Sequence, residues 1–165
     1  MTIGAGFGDV LVAAQTGAEW AWERLFASVA GPVRGYLLAH GAEDADDLTG
    51  EVMLQLVSGI GRFEGDEAGF RSWVFLVAHH RLVDERRRRG RAARGSERLE
   101  RPTDAAGADI PALEDLAAGA WHERLSRLSD DQRDVLLLRV VGGLSAEEVG
   151  AIIGKRAGAV RVIQH

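Results

Sequence analysis

The chain has 165 residues, a formal net charge of -5 and 46% hydrophobic residues, which is enough apolar material for one good core or two small ones. It contains no cysteine, which excludes disulfides and thiolate metal sites and fits a reducing compartment. The N-terminus has no basic start or apolar core segment, and no apolar run reaches roughly 18 residues, so we expect a cytoplasmic protein without membrane insertion.

Positive charge is concentrated in the middle of the chain. Residues 1–60 carry a net charge of -6, residues 61–101 carry +4 and residues 102–165 carry -3. The stretch HHRLVDERRRRGRAARG, residues 79–95, holds seven arginines and two acids. A basic segment in an acidic chain indicates a surface that meets a negatively charged partner. The alternatives are a solvated charge run or bases attracted to a helix C-terminus by its dipole.

Apolar residues recur at three- and four-residue spacing along almost every long segment, and no window alternates with period two. This pattern predicts an all-α protein. The first helical pattern begins at Val10 and continues to a predicted break at Gly31-Pro32. A short second helix is predicted from Val33 to Ala39.

The next two helices are predicted on either side of a glycine-rich loop. Asp44 is a natural N-cap, and two further acids fall in the first turn, where the helix dipole favours them. Residues 58–69 contain four glycines and are predicted to form the loop. A long helix is then predicted from Phe70 to about Arg89, apolar in its first half and basic in its second.

The composition of residues 90–112 is typical of a linker, since this stretch contains two prolines and no apolar periodicity. We therefore predict two small helical domains joined by a flexible linker. The first domain covers residues 1–95, the linker residues 96–112 and the second domain residues 113–165.

Two capping boxes punctuate the second domain. SDDQ at residues 129–132 predicts the start of a helix that includes Val135 to Val141, and SAEE at residues 145–148 predicts the start of a short helix that ends at Gly154. A further helix follows within AVRVIQH. A short helix, a tight turn and a second helix are typical of a helix-turn-helix, which places its second helix in the DNA major groove. A helical hairpin with ordinary surface bases is the alternative.

On the last helix, Val160 and Ile163 are predicted to face inward. The opposite face and the preceding turn contain the candidates for base and phosphate contact: Lys155, Arg156, Arg161, Val162 and His165.

An acidic cluster around the third predicted helix raises the possibility of a metal site or of acid–base catalysis. N-terminal capping explains its first acids, and no nucleophile or glycine-rich phosphate loop accompanies it, so we expect no catalytic residue, no metal and no cofactor. Asp47 and Glu51 share one helix face, and two exposed like charges there indicate a basic partner surface. The adjacent His79 and His80 lie about 100° apart on a helix and cannot chelate one ion as an i,i+4 pair can.

Three motifs in this order make the chain resemble an extracytoplasmic-function (ECF) sigma factor: DADDLTGEVMLQLV, RFEGDEAGFRSWVFLVAHHRLVDERRRR and LSDDQRDVLLLRVVGGLSAEEVGAIIGKRAGAVRVIQH. The similarity extends from about Val10 to His165. It implies a transcription initiation factor, not an enzyme, that binds core RNA polymerase through the β′ clamp helices and the β flap. The partners that it implies are therefore core polymerase, promoter DNA and, commonly, an anti-sigma factor.

The resemblance also implies roles for individual residues. Docking on the β′ clamp helices falls to Asp46, Asp47, Leu48, Glu51 and Gln55. Capture of a flipped base of the −10 element, and contact with the duplex beside it, fall to Arg62, Phe63, Glu64, Gly65, Asp66, His79, His80, Asp84, Arg86, Arg87, Arg88 and Arg89. The second domain resembles the one that reads the −35 element, which implies that role for Lys155, Arg156, Arg161, Val162 and His165.

The chain departs from the family pattern at three points. Gly50 stands where the family often has Gln, which loosens the docking helix by roughly 1 kcal/mol relative to Ala. His79-His80 replaces an Arg-Asn pair, which predicts a different and pH-sensitive −10 preference. The sequence ends at His165, so we expect a −35 domain that is cut short within its recognition helix.

A stand-alone helix-turn-helix regulator is the alternative function, and a helical enzyme that uses the acidic cluster is a third. The N-terminal motifs disfavour the stand-alone regulator, which has no use for a polymerase-docking helix.

Overall fold

A computed structural model describes residues 3–95, 124–125 and 127–163. Every regular element in these ranges is helical, which confirms the predicted all-α class. The N-terminal unit, residues 3–95, contains two short 3-10 turns, Gly4–Gly6 and Ile60–Arg62, and the helices α1 (Phe7–Gln15), α2 (Glu19–Ala39), α3 (Ala45–Gly59) and α4 (Glu67–Gly95). The C-terminal unit, the described residues from 124 to 163, contains α5 (Asp130–Val140), α6 (Ala146–Ile153) and α7 (Ala157–Ile163).

The predicted break at Gly31-Pro32 is wrong, because α2 continues through both residues. The chain turns earlier, between α1 and α2, where Gly17 adopts a φ of 87° that favours glycine. Proline inside a helix removes one backbone hydrogen bond. Val29 and Val33 are 1% and 0% exposed on either side of Pro32, so tertiary packing keeps the two halves of the helix in line.

The region between α3 and α4 is shorter than predicted. The carboxylate of Asp44 accepts a hydrogen bond from the backbone N–H of Asp47 at 3.0 Å, which confirms the predicted N-cap. Because α3 continues to Gly59 and α4 begins at Glu67, the predicted loop of residues 58–69 is too long at both ends. Helix α4 also continues beyond the predicted end at Arg89, so the stretch 90–95 is helix; the rest of the predicted linker, residues 96–112, lies outside the described residues.

The core of the N-terminal unit is aromatic and aliphatic. Phe70 and Phe75 of α4 are 2% and 0% exposed, and Tyr36 of α2 is fully buried with its ring edge-on to Phe75. Helix α1 covers one end of this core, where Phe7 lies 5.6 Å from the ring of Phe70. The two units share one continuous cluster of buried residues.

The C-terminal unit forms the predicted helix-turn-helix. Both capping boxes are present, Ser129 with Gln132 and Ser145 with Glu148. Val160 is fully buried and Ile163 is partly buried, which confirms their inward orientation. None of the described helices of either unit is long and apolar enough to span a bilayer.

The turn between α6 and α7 depends on a close backbone approach at Gly150. A Cβ atom at this position would lie 2.5 Å from the carbonyl oxygen of Lys155. The backbone N–H of Lys155 donates to the carbonyl of Gly150 at 2.8 Å. Glycine therefore allows the chain to fold back tightly on itself and sets the angle at which α7 is presented.

Candidate nucleic-acid interface

The outward face of α3 presents the predicted docking acids, and the protein itself holds some of them. Asp46 is bound by Arg34 of α2, with Nε and Oδ1 2.6 Å apart. This hydrogen bond holds the pKa of the Asp46 carboxyl below its usual value. Glu51 lies 3.7 Å from Arg81 of α4, while Asp47 is exposed beside it. The face is acidic and its side chains are partly held in place by cations from α2 and α4.

The fifth docking residue, Gln55, is also bound by Arg81. Its Oε1 accepts from Arg81 Nε at 3.1 Å and from Nη2 at 2.8 Å. Arg81 thus connects two of the predicted docking residues to the basic helix, so that a partner meeting this face meets a fixed arrangement of polar groups.

One predicted docking residue is corrected by the structure. Leu48 is only 3% exposed and packs into the core, because it falls on the same face of α3 as the buried Val52 and Leu56. The apolar surface on this helix comes instead from Leu54 and Val57, which are 70% and 47% exposed. The sequence does contain a signal for these two residues: they are apolar but do not fall on the helix face defined by Leu48, Val52 and Leu56, which are four residues apart.

The loop before α4 is built on an aromatic stack. The ring of Phe63 lies parallel to that of Trp73, with centroids 5.3 Å apart and an angle of 12° between the planes. Phe63 is partly buried, while its neighbours Arg62, Glu64 and Gly65 are exposed. Trp73 was not predicted as a site residue, although an aromatic residue in the second turn of the helix after such a loop is a usable signal. The stack supports one wall of the loop and leaves its polar residues outward.

Two side chains fix the ends of this loop. Nε2 of Gln15 in α1 donates to the carbonyls of Ile60 and Phe63, each at 2.9 Å. The carboxylate of Asp66 accepts from the backbone N–H of Gly69 at 2.8 Å, so this predicted DNA-binding residue also caps α4. The loop is therefore shaped from both sides by hydrogen bonds to its backbone.

The four consecutive arginines of α4 divide into two pairs. Arg86 Nη2 donates to Nδ1 and to the backbone oxygen of His40, at 3.2 and 3.0 Å. Arg89 binds Glu85 at 2.5 Å and Glu43 at 3.2 Å. Arg87 and Arg88 are exposed. Two of the four guanidinium groups, those of Arg87 and Arg88, therefore lie at the surface of the protein.

The remaining predicted −10 residues on α4 differ in accessibility. His80 is exposed, and the exposed Asp84 lies 3.7 Å from Arg87. The side chain of His79 is only 13% exposed, because it faces α2 and α5. Little of its ring is at the surface in this arrangement of the two units.

The helix-turn-helix exposes most of the residues that are predicted to contact the −35 element, and two of them pair with acidic side chains. Lys155 binds Asp131 of α5 at 2.8 Å, and Arg161 forms an ion pair with Glu147 of α6. Arg156 is exposed, and Val162 is 76% exposed. The predicted reader His165 lies outside the described residues.

A buried polar cluster that was not predicted from the sequence joins the two units. The hydroxyl of Tyr36 lies 2.9 Å from His79 Nδ1 and donates to Asp134 Oδ1 at 3.3 Å. Nε2 of His40 lies 3.1 Å from the same Oδ1. We call Tyr36, His40, His79 and Asp134 the Asp134 cluster. Asp134 belongs to α5, Tyr36 to α2 and His79 to α4, and His40 directly follows α2.

Burial and neighbouring charges shift the pKa values of three residues in this cluster. Burial lowers the pKa of His79, against an opposing effect of the Asp134 charge. Burial alone would raise the pKa of Asp134, but the hydrogen bond and charge of His40, with His79 and Tyr36, outweigh it and hold that pKa below its usual value. Burial and the Asp134 charge raise the pKa of Tyr36 well above 10, so its hydroxyl stays protonated.

Two family models match the chain. The model for sigma-70 region 2 covers residues 23–92, which includes α3, the loop and the basic helix. The model for sigma-70 region 4 covers residues 118–162, which includes the helix-turn-helix. The two matched regions define the chain as an RNA polymerase sigma factor.

Curated relatives narrow the class. The chain is 37% identical over 126 residues to the ECF RNA polymerase sigma factor ShbA of Streptomyces griseus, covering 73% of this chain and 65% of the relative. It is 39% identical over 123 residues to the ECF sigma factor SigD of Mycobacterium tuberculosis, covering 73% and 58%. It is 30% identical over 151 residues to the RNA polymerase sigma factor CarQ of Myxococcus xanthus, covering 90% and 86%. The chain belongs to the ECF sigma factor family.

Solved structures share the fold. The structure of CnrH in complex with the cytosolic domain of CnrY gives a TM-score of 0.67 at 19% identity, covering 94% of this chain and 87% of that one. The structure of the sigma factor RpoE in complex with the anti-sigma factor NepR from Bartonella quintana gives a TM-score of 0.64 at 20% identity, covering 86% of this chain and 88% of that one.

The matches to ShbA and SigD span about three fifths of the length of those relatives.

Proposed function

We propose that this protein binds core RNA polymerase, directs it to promoters and thereby initiates transcription. The main observation behind this proposal is that one chain contains both matched regions. The first has an exposed acidic face and a loop whose backbone is held by hydrogen bonds, and the second has a helix-turn-helix. The protein acts by binding and not as an enzyme, and it acts in the cytoplasm, where core polymerase is found.

The acidic face of α3 is the proposed polymerase-docking surface. Asp47 and Glu51 supply negative charge, and the exposed Leu54 and Val57 add apolar area next to it. A basic helical partner such as the β′ clamp helices complements this combination. The C-terminal unit would engage the β flap.

The loop and the basic helix are the proposed −10 contacts, and α7 with its preceding turn is the proposed −35 contact. The partly buried Phe63 and the exposed residues around it offer a stacking surface with polar edges, which suits an unpaired base. The exposed Arg87, Arg88 and Arg156 suit phosphates. The acidic bulk of the chain, with its net charge of -5, disfavours loose binding to DNA of any sequence.

An anti-sigma factor is the third proposed partner. The proposal is supported by one of the similar structures, in which the sigma factor RpoE is in complex with the anti-sigma factor NepR. Co-purification of the protein from its native host, followed by mass spectrometry of what it retains, would identify such an inhibitor.

Co-elution with core RNA polymerase tests the docking proposal. Asp47→Arg with Glu51→Arg reverses the charge of the docking face, and we expect it to abolish co-elution, because it replaces attraction to a basic partner by repulsion. Glu19→Arg with Glu23→Arg is the matched control, since these two acids are exposed, are also four residues apart and also begin in the first turn of their helix.

Each outcome of this experiment is informative. Co-elution of the wild type and of the control, but not of the docking variant, supports the sigma-factor function. If the folded wild type does not co-elute at all, the proposed function is wrong and the stand-alone helix-turn-helix regulator takes its place.

A further inference from the structure

Gln15, the last residue of α1, spends both hydrogens of its side-chain amide on the backbone before α4. One goes to the carbonyl of Ile60 and one to the carbonyl of Phe63, each with a donor–acceptor distance of 2.9 Å. Gln15 is exposed and is not part of the buried core. Its contribution to the molecule is therefore the direction that it gives to these two carbonyls.

The two carbonyls lie where the chain changes direction. The 3-10 turn Ile60–Arg62 ends at Phe63, whose φ of -74° and ψ of 127° are those of extended backbone. Carbonyls at the end of a helical turn have no partner within it and need one from elsewhere. By holding the carbonyls on both sides of the change, Gln15 fixes the orientation of the planar peptide between Phe63 and Glu64. The direction in which residues 64–66 leave the turn follows from that orientation.

Helix α1 also supports the ring of the same residue. Phe7 of α1 packs on Phe70 with ring centroids 5.6 Å apart, and Phe70 meets the ring of Phe63 edge-on at 5.8 Å. The parallel stack of Phe63 on Trp73 has room because residue 59 is glycine, where a Cβ atom would lie 2.7 Å from the indole. Backbone and ring of Phe63 are thus both positioned with the help of α1.

The far end of the loop is tied to the residues before α1. The carboxylate of Glu67, the first residue of α4, accepts from the backbone N–H groups of Ile3 and Gly4 at 2.5 and 3.0 Å. Gly4 has a φ of 79°, a conformation that favours glycine. Residues 63–66 therefore lie between two sets of hydrogen bonds that both originate in residues 3–15, none of which is a predicted −10 contact.

We propose that Gln15 is a positioning residue of the −10 base site, which sets the base that the loop accepts by fixing the loop backbone. The proposal rests on the proposed function for the nature of the ligand, an unpaired base, but not for the dependence of the loop on Gln15. A base edge is read by hydrogen bonds that weaken steeply at angles below about 120°. Rotation of the peptide after Phe63 turns the polar groups of the loop away from such an edge.

Amide hydrogen exchange tests the dependence of the loop on Gln15 without polymerase or DNA. In Gln15→Ala we expect exchange within residues 60–70 to be about fivefold faster, the factor for one hydrogen bond of ordinary net strength. Gln15→Glu keeps the size of the side chain but places a carboxylate against two carbonyl oxygens, so exchange should be at least as fast. Mass spectrometry of peptides from this region measures the rates.

Thr16→Ala is the matched control. Thr16 is the next residue and is also exposed, but its hydroxyl donates to the carbonyls of Val12 and Ala13 within its own helix, at 3.2 and 2.9 Å. Exchange of residues 60–70 should remain that of the wild type in this variant, and circular dichroism should be the same in all variants. Unchanged exchange in both Gln15 variants, or equally fast exchange in Thr16→Ala, would refute the role of Gln15.

Base selection tests the consequence for the site. The full chain bound to core polymerase selects from fork-junction DNA whose non-template strand is randomised across the −10 element, and sequencing of the bound fraction gives the preference at each position. Gln15→Glu should reduce the preference for the favoured base about fivefold at one position, that of the captured base. Preferences at the other positions, and co-elution with polymerase, should remain those of the wild type and of Thr16→Ala.

The outcomes separate the proposal from the function on which it rests. If Gln15→Glu retains every base preference of the wild type, or weakens all positions alike, Gln15 is not a positioning residue of the base site. If the wild type itself does not co-elute with polymerase, the proposed function is wrong. The exchange rates of the loop do not depend on polymerase and are decided separately.

Discussion

Arginines 86–89 occupy four consecutive positions of α4, and a helix turns by about 100° at each residue, so they cannot share one role. Arg86 and Arg89 are directed at the protein, where they bind His40, Glu85 and Glu43. Arg87 and Arg88 face solvent. A sequence shows that such a run must divide, but it does not show which members face the core, because that depends on how the helix packs.

We predict opposite phenotypes for the two pairs. Arg87→Ala with Arg88→Ala should weaken DNA binding by the polymerase complex and reduce the slope of log affinity against log salt by up to about 2, as two phosphate contacts are lost. Thermal stability should remain near that of the wild type, since neither side chain is buried. A salt titration of binding, together with a thermal melt, measures both properties.

Arg86→Ala is the counterpart to this double variant. It removes donors to the ring and to the backbone carbonyl of His40, both partly buried, so we expect a loss of stability of about 1–3 kcal/mol. A stable Arg86→Ala protein with a reduced salt slope would mean that this arginine contacts DNA instead.

At the scale of the helix, local sequence signals predicted where a helix begins when the residues that form its cap lie within one turn of each other in the sequence. Both capping boxes and the Asp44 cap depend on hydrogen bonds between a side chain and a backbone N–H three residues away, and the structure confirms all three. The Gly31-Pro32 break was predicted from equally local signals and is wrong, because packing of the neighbouring valines overrides the lost hydrogen bond.

The site was harder to predict than the elements. Asp47 and Glu51 could be placed on one outward face from their spacing alone. Leu48 could not be assigned to the core without knowing where α2 and α4 pack, and the Asp134 cluster combines residues about 100 positions apart in the chain, such as Tyr36 and Asp134. No local pattern contains that information.

The turn of the helix-turn-helix yields a prediction on stability. Gly150→Ala places a Cβ atom 2.5 Å from a backbone carbonyl that cannot move without shifting α7, so we expect a loss of about 1–3 kcal/mol. Gly158→Ala is the matched control in α7, where nothing lies within 4 Å of the new atom and alanine favours the helix. Chemical denaturation followed by circular dichroism compares the two, and equal stability would contradict the close approach at Gly150.

At the scale of the whole molecule, the contact between the units should respond to acid. The lowered pKa of His79 means that the protein binds fewer protons when the units touch than when they are apart and this group has its ordinary pKa of 6.5. The contribution of His79 to the stability of the contact between the units is therefore complete when the pH lies above this ordinary pKa, and it is lost as the pH falls below it. The groups that face His79 are Tyr36 of α2, His40 directly after α2, His80 and Arg86 of α4, and Asp134 of α5.

We expect the form in which the units touch to become less populated as pH falls from about 7.5 to about 5.5. Because the chain has no cysteine, spin labels at Ala27→Cys in α2 and Ala151→Cys in α6, both at exposed positions, report it as a short distance in double electron–electron resonance. Asp134 does not oppose this trend, because its own lowered pKa places the loss of its contribution below its ordinary value of 3.8. His79→Gln should flatten the response. An increase of the short distance in acid would mean that a charged His79 attracts Asp134 more strongly than burial penalises it.

The two hydrogen bonds from Gln15 to the loop have a consequence for comparing this protein with its relatives. Gln15 lies in α1, before the region 2 match that begins at residue 23, yet its amide holds the carbonyls of Ile60 and Phe63. An alignment restricted to the matched region leaves out Gln15 and therefore the two hydrogen bonds that hold the loop. Two relatives with identical loops can therefore differ in which base they accept, and surveys of promoter preference across the family should include the residue at this position as a variable.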